Sequence, residues 1–113
     1  TTKLVNNTLM AANLAVAHHA IETAQALGID ALAFGKLVAA SSGHSFSFDV
    51  RARMSSPTDF RHGAELLAKD VHLLGGTVGN TADYAALRDT AGRFLNAALQ
   101  SPDDTLLREG QEL

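Results

Sequence analysis

The stretch Lys3-Leu4-Val5-Asn6-Asn7-Thr8-Leu9-Met10-Ala11-Ala12-Asn13-Leu14-Ala15-Val16-Ala17 decides the fold. Its apolar residues do not keep to one stripe at helical spacing, so it reads as a helix enclosed on several sides rather than one lying on a surface. The pattern continues to Leu27 and is closed by Gly28, the residue type that best tolerates the left-handed conformation after a helix. This helix should be central. Its alanines permit close approach by neighbours of its own domain or by a second copy of the chain, with little side-chain entropy lost.

The rest of the chain agrees with a helical reading. At 113 residues it is one domain's worth, with a single core to account for. Its 20 alanines, 2 prolines and 1 tyrosine favour helix and leave a sheet little to build with. The predicted class is all-α, a compact multi-helix domain around one long N-terminal helix. The formal charge of −3, with both signs scattered, leaves no basic stripe for a phosphate backbone and argues against a nucleic-acid partner. No cysteine is present, so neither a disulfide framework nor a thiolate metal site is available, which fits the cytoplasm. No apolar run approaches the roughly 20 residues that cross a bilayer, and the first residues lack a secretion signal, so no membrane role is expected.

Turn residues divide the chain beyond the first helix. Asp30 caps a second helix over about Ala31 to Ala40, with Leu32, Phe34, Leu37 and Val38 as its apolar stripe, ending in Ser41-Ser42-Gly43. Ser45 caps a third, to Met54. Pro57 and its polar neighbours read as a loop. A fourth helix spans Ala64 to about Leu74, with Leu66, Leu67, Val71 and Leu74 at core spacing and Gly75-Gly76 blurring its end. Thr81 caps the last long helix, to about Gln100, which carries Tyr84, Leu87, Ala91, Phe94, Leu95 and Ala98 on one face. Pro102 stops it, and Leu106 and Leu107 offer one short docking turn in a polar tail.

Lys3, Asn6 and Asn7 are the polar residues that open the first helix. Lys3 and Asn7, four residues apart, share one helical face. A lysine at a helix start opposes the positive end of the helix dipole, and no acidic residue precedes Glu22 to offset it. One resolution is that the helix begins upstream and Thr1-Thr2 is an artificial boundary. Two asparagines in succession are poor helix formers, so amides flanked by Leu4, Val5 and Leu9 call for specific partners. The bland reading is a solvated helix end. The functional one is a set of polar groups held at a cleft.

Lys3-x-x-Asn6-Asn7, the alanine-rich helix, Gly28-Ile29-Asp30, Ser41-Ser42-Gly43 and Lys69-Asp70-Val71, in that order, resemble the C-terminal domain of the β-hydroxyacid dehydrogenases, nearest the 3-hydroxyisobutyrate dehydrogenase branch. The resemblance covers roughly Lys3 to Leu99. It implies a 6-phosphogluconate dehydrogenase C-terminal-domain-like fold for residues 1–113, with the N-terminal dinucleotide-binding domain absent from this chain. It also implies NAD or NADP bound mainly by that missing domain, and a small hydroxyacid or semialdehyde as substrate. Lys3 then falls on the family's catalytic lysine and Asn7 on its partner asparagine, while Lys69 reaches toward the cofactor and Asp70 is structural. A lysine amine within reach of the substrate oxygen can exchange its proton with it during hydride transfer, provided a cleft favours the neutral amine. Asn7, one turn on, can orient Lys3 or hold the substrate. Asn6 points about 100° away.

The chain departs from the family in places. Phe60 and Gly63-Ala64 stand in a register that does not align with the glycine and aromatic usual before the Lys-Asp helix. His19 replaces a common glutamate, and Gly75 to Asn80 is shorter and richer in glycine than the usual helix end. No Gly-x-Gly-x-x-Gly loop occurs, so this chain alone is expected to be inactive. Imine-reducing relatives tend to lack the lysine that Lys3 supplies.

The five histidines suggest no metal site, since adjacent His18 and His19 diverge by about 100° and His19-x-x-Glu22 lacks the repeats of a di-iron bundle. Two functions remain. One is an NAD(P)-dependent 3-hydroxyacid dehydrogenase half-site. The other is a non-catalytic helical module that forms a homo-oligomer through the first helix.

Overall fold

The computed structural model describes residues 1–100. In order they form α1 (Thr2–Ala26), α2 (Ala31–Ala39), α3 (Phe46–Ala52), a 3-10 turn (Pro57–Phe60), α4 (Arg61–Val78) and α5 (Ala82–Leu99). No strand occurs among the described residues, and the fold is all-α. The stop at Pro102 and the docking turn at Leu106 and Leu107 lie outside the described residues.

Local chemistry sets most helix ends where the sequence places them. Past α1, the Gly28 N–H reaches the Gln25 carbonyl at 3.0 Å and the Ile29 N–H reaches that of Ala24 at 2.9 Å, the paired bonds of a Schellman end. Gly28 has φ +78° with nothing within 4 Å of a built β-carbon, so its left-handed backbone is what calls for glycine. The side chains of Asp30, Ser45 and Thr81 accept from the backbone N–H groups of Ala33, Phe48 and Tyr84 at 2.9, 2.9 and 3.2 Å. All three expected caps are present.

The segment around Pro57 differs from the expected loop. Asp59 accepts from the Ser55 and Ser56 N–H groups at 2.8 and 3.4 Å, which closes the segment into a 3-10 turn running straight into α4. The helix therefore begins at Arg61, not Ala64. Gly63 makes room for this entry, because a β-carbon there would lie 2.5 Å from the Phe60 ring. Nor does Gly75-Gly76 end α4, which continues to Val78. A β-carbon on Gly75 would stand 2.6 Å from the Tyr84 hydroxyl, and that hydroxyl donates to the Val71 carbonyl at 2.7 Å. The glycine is a seat for α5. The third helix also stops short of Met54, at Ala52.

As predicted, α1 is central, packing against α2, α3, α4 and α5. Ala11, Ala12, Leu14 and Ala15 of α1 join Ala64, Leu67 and Val71 of α4 and Ala91, Phe94, Leu95 and Ala98 of α5 in the main core. Asn7 meets Asp70, whereas further along α1 His18 meets Phe94, itself against Phe60, so α4 runs back antiparallel to α1. The single core expected from length is in fact two clusters. Ala17, Ile21, Val38 and Phe48, with Phe34 against them, form a second one beneath α2 and α3. Only Phe34 and Val38 of the expected α2 stripe serve it, while Leu32 and Leu37 are 68% and 65% exposed. Ala12 and Ala15, 5% and 0% exposed, are used up within the domain. What α1 leaves outside is another stripe, Val5, Leu9 and Val16, exposed by 44%, 48% and 59%. These three fall within about 40° of one another around the helix.

Candidate active site

The first turns of α1 and the middle of α4 meet at one polar contact. Asn7, partly buried, donates from Nδ2 to Asp70 Oδ2 at 2.7 Å, across 63 residues of sequence. A donor bonded to a carboxylate at this length is charge-assisted and stronger than a neutral pair. Asn6 does not point wholly elsewhere, because its Nδ2 donates to Asn7 Oδ1 at 3.3 Å. The Asn7 amide is thereby oriented, nitrogen toward α4 and oxygen away from it. The two asparagines do have the specific partners that their composition called for.

Lys3 and Lys69 are placed differently. Lys3 lies one turn before Asn7 on the same side of α1 as Leu14, and it is exposed. Lys69 is exposed beside Asp70, about 100° round α4. Neither lysine makes a side-chain hydrogen bond or ion pair among the described residues. The structure brings Asn7 and Asp70 into contact and leaves both ammonium groups uncommitted near that contact in sequence. Phe60, uncertain from sequence, turns toward Phe94 with ring centroids 6.2 Å apart, at the other end of α4 from Gly75 and Gly76. It belongs to the core.

Other features lie elsewhere. An open, mostly apolar groove of about 260 Å³ is lined by Asn13, Val16, Phe34, Val38 and Phe48, some six residues along α1 from Asn7. No group of three or more His, Asp or Glu side chains is placed to hold a metal among the described residues. No described helix is long and apolar enough to cross a membrane.

Sequence reasoning missed one buried polar network. Arg51 of α3, 4% exposed, donates from Nε to His18 Nδ1 at 3.1 Å and from Nη1 to the Met54 carbonyl at 3.4 Å, and its Nη2 lies 3.6 Å from Glu22 Oε1. Burial holds the Arg51 pKa below its ordinary value, opposed by the carboxylates of Glu22 and Asp59. The available signal was the His18–Glu22 spacing of one helical turn, but nothing local points to Arg51.

A family model described as "NAD-binding of NADP-dependent 3-hydroxyisobutyrate dehydrogenase" matches residues 1–104. No curated protein and no solved structure matches the chain. With the matched stretch taking in α1 to α5 and both ends of the Asn7–Asp70 contact, the chain belongs to this 3-hydroxyisobutyrate dehydrogenase-like family, whose common chemistry is NAD(P)-dependent oxidation and reduction.

Proposed function

We propose that this domain supplies the proton-transfer half of a dehydrogenase site for a small 3-hydroxyacid or its semialdehyde. A dinucleotide-binding domain joined to it would bind most of the NAD or NADP. The observation that carries the reading is the 2.7 Å bond from Asn7 to Asp70. Asp70 holds the amide nitrogen and Asn6 donates to one lone pair of the amide oxygen, which leaves the other lone pair open. That oxygen can accept from the Lys3 ammonium or from a substrate hydroxyl.

The donor set fits the chemistry of a nicotinamide cofactor and a hydroxyacid. The exposed Lys69 cation suits the cofactor's anionic groups, and the amine and amide of Lys3 and Asn7 suit a hydroxyl that becomes a carbonyl. The chemistry that a bound nicotinamide would supply is the exchange of a hydride with the carbinol carbon. As its neutral amine Lys3 would take the proton leaving the hydroxyl oxygen as the carbonyl forms, and the resulting ammonium would give it back in the reverse direction. Asn7 keeps Lys3 and the substrate oxygen in register, and Asp70 acts through Asn7 as a positioning residue.

Steady-state kinetics of the dinucleotide-linked enzyme with an Asn7→Ala variant tests this. A hydrogen bond to a charged group contributes about 1.5–3 kcal/mol, so kcat/KM should fall roughly 10- to 100-fold with the fold intact. Native kcat/KM in that variant would dismiss the assignment.

Self-association through α1 is a second reading, favoured by the exposed stripe of Val5, Leu9 and Val16. On the helix this stripe lies about 140° from Lys3 and about 180° from Asn7, so an interface there leaves the polar face uncovered. The partner would be a second copy of the chain, and the roles proposed for α1 are compatible. In analytical ultracentrifugation Val16→Glu should shift the protein toward monomer, whereas replacing both Lys3 and Asn7 should leave association unchanged. A Val16→Glu protein with native mass would refute the interface.

A further inference from the structure

We propose that Arg51 and His18 form an acid-released clasp, in which protonation of His18 loosens the segment from His44 to Phe60 while the α1, α4 and α5 core stays folded. The clasp rests on one buried contact with a defined proton arrangement. Arginine offers only donors, so the Arg51 Nε bond to His18 Nδ1 at 3.1 Å requires that nitrogen to carry a lone pair. The imidazole is therefore neutral with its proton on Nε2. A second proton can enter only at Nδ1, where it would set a donor against a donor and two cations at contact distance.

The surroundings make that outcome costly to absorb. Arg51 cannot simply swing into water, because its side chain is 4% exposed and Nη1 donates to the Met54 carbonyl. On α1 the ionisable neighbours are His19 and Glu22, and from the 3-10 turn Asp59 acts on Arg51. Glu22, one turn beyond His18, is 54% exposed and only 3.6 Å from Nη2, so it offsets a new charge in part. Asp59 is already engaged by the Ser55 and Ser56 N–H groups. From α5 His18 meets the uncharged ring of Phe94, with ring centroids 6.1 Å apart and the planes steeply tilted. Burial first, and then the Arg51 charge, hold the His18 pKa below its ordinary 6.5, with Glu22 opposing and His19 adding to the shift.

These groups fix the direction of the pH effect. A histidine whose pKa is lower folded than unfolded binds fewer protons in the native state through the window below 6.5. Its contribution is complete above 6.5 and is lost as pH falls through that window. The loss concentrates on α3, because Arg51 belongs to α3 and is the charged group that α3 places against α1. The other ties of α3 are the Ser47 hydroxyl donating to the Met10 carbonyl at 3.2 Å, the packing of Phe48 in the second cluster and that of Val50 against the main core, and none of them titrates. The contacts of α4 and α5 with α1 contain no such pair. A second histidine, His44, lies with Nε2 2.8 Å from Asp49 Oδ2 at the head of the same helix, and the His44→Gln variant separates its effect from that of His18.

Amide hydrogen exchange, corrected for its intrinsic pH dependence, separates these possibilities. From neutral pH to about pH 5, Phe46–Ala52 should lose protection severalfold in the native protein and in His44→Gln, with α4 and α5 unchanged. His18→Gln keeps an acceptor for Arg51 without a titrating proton, and its α3 protection should stay flat. The clasp is overturned if His18→Gln loses protection as the native protein does, if the native α3 loses none, or if the loss spreads equally over α4 and α5. Should His18→Gln fail to fold, the ring of His18 can be titrated by NMR in the native protein. A midpoint below 6.5 that coincides with shifts of the α3 amides supports the clasp, and a midpoint at or above 6.5 overturns it.

Discussion

Replacing Lys3 by alanine should lower kcat of the dinucleotide-linked enzyme by about 10²- to 10⁴-fold, the usual contribution of a positioned general acid/base. Thermal stability should hardly change, because the side chain is exposed and makes no hydrogen bond among the described residues. That separation gives the experiment its force. A loss of activity with the melting temperature unchanged cannot be ascribed to unfolding, and partial recovery with an added small amine would identify the missing group as a proton carrier. The measurement is steady-state turnover of the hydroxyacid with NAD or NADP, alongside a melting curve. Near-native kcat would remove Lys3 from the reaction and leave the α1 interface as the better account of the domain.

Phe94→Ala should cause the largest loss of stability, about 3–5 kcal/mol, against a total of roughly 5–15 kcal/mol for a domain of this class. Phe94 is 0% exposed and joins separate parts of the fold, touching the His18 ring of α1 and the Phe60 ring of the 3-10 turn. Truncation leaves a cavity among helices whose other core residues are largely alanines, which have no longer side chain with which to refill it. Urea unfolding should show a much lower midpoint with nearly the same slope. Phe46→Ser is the control, since Phe46 is 72% exposed and should shift stability by no more than about 0.5 kcal/mol. Similar effects from the two substitutions would mean that the core is not organised around Phe94.

What could be read from sequence divides by the range of the interactions involved. Asp30, Ser45 and Thr81 each satisfy an N–H group three residues away, and Gly28 answers a backbone angle within its own turn, so the ends they set follow from local chemistry. The entry to α4 does not, because Phe60 folds back over Gly63 to reach Phe94. Gly75 reads as a helix breaker until Tyr84 of another helix is seen to occupy its space. The candidate site divides in the same way. Consecutive Asn6 and Asn7 announce a need for polar partners, but Asp70 lies 63 residues from Asn7. Arg51 and His18, 33 residues apart, carry no local mark of their pairing.

The bond from Tyr84 to the Val71 carbonyl has a bearing on aim as well as on packing. Val71 directly follows Asp70, so this bond, together with the core packing of Ala64, Leu67 and Val71, holds the rotational phase of α4 about its own axis at the position where the carboxylate projects. With side chains reaching about 5–6 Å from a helix axis, a turn of some 20° would sweep that carboxylate by about 2 Å, enough to part it from Asn7. A tyrosine on α5 thus works as an angular stop for Asp70, and the orientation of the Asn7 amide on α1 is governed from a helix that supplies none of the groups proposed to meet substrate.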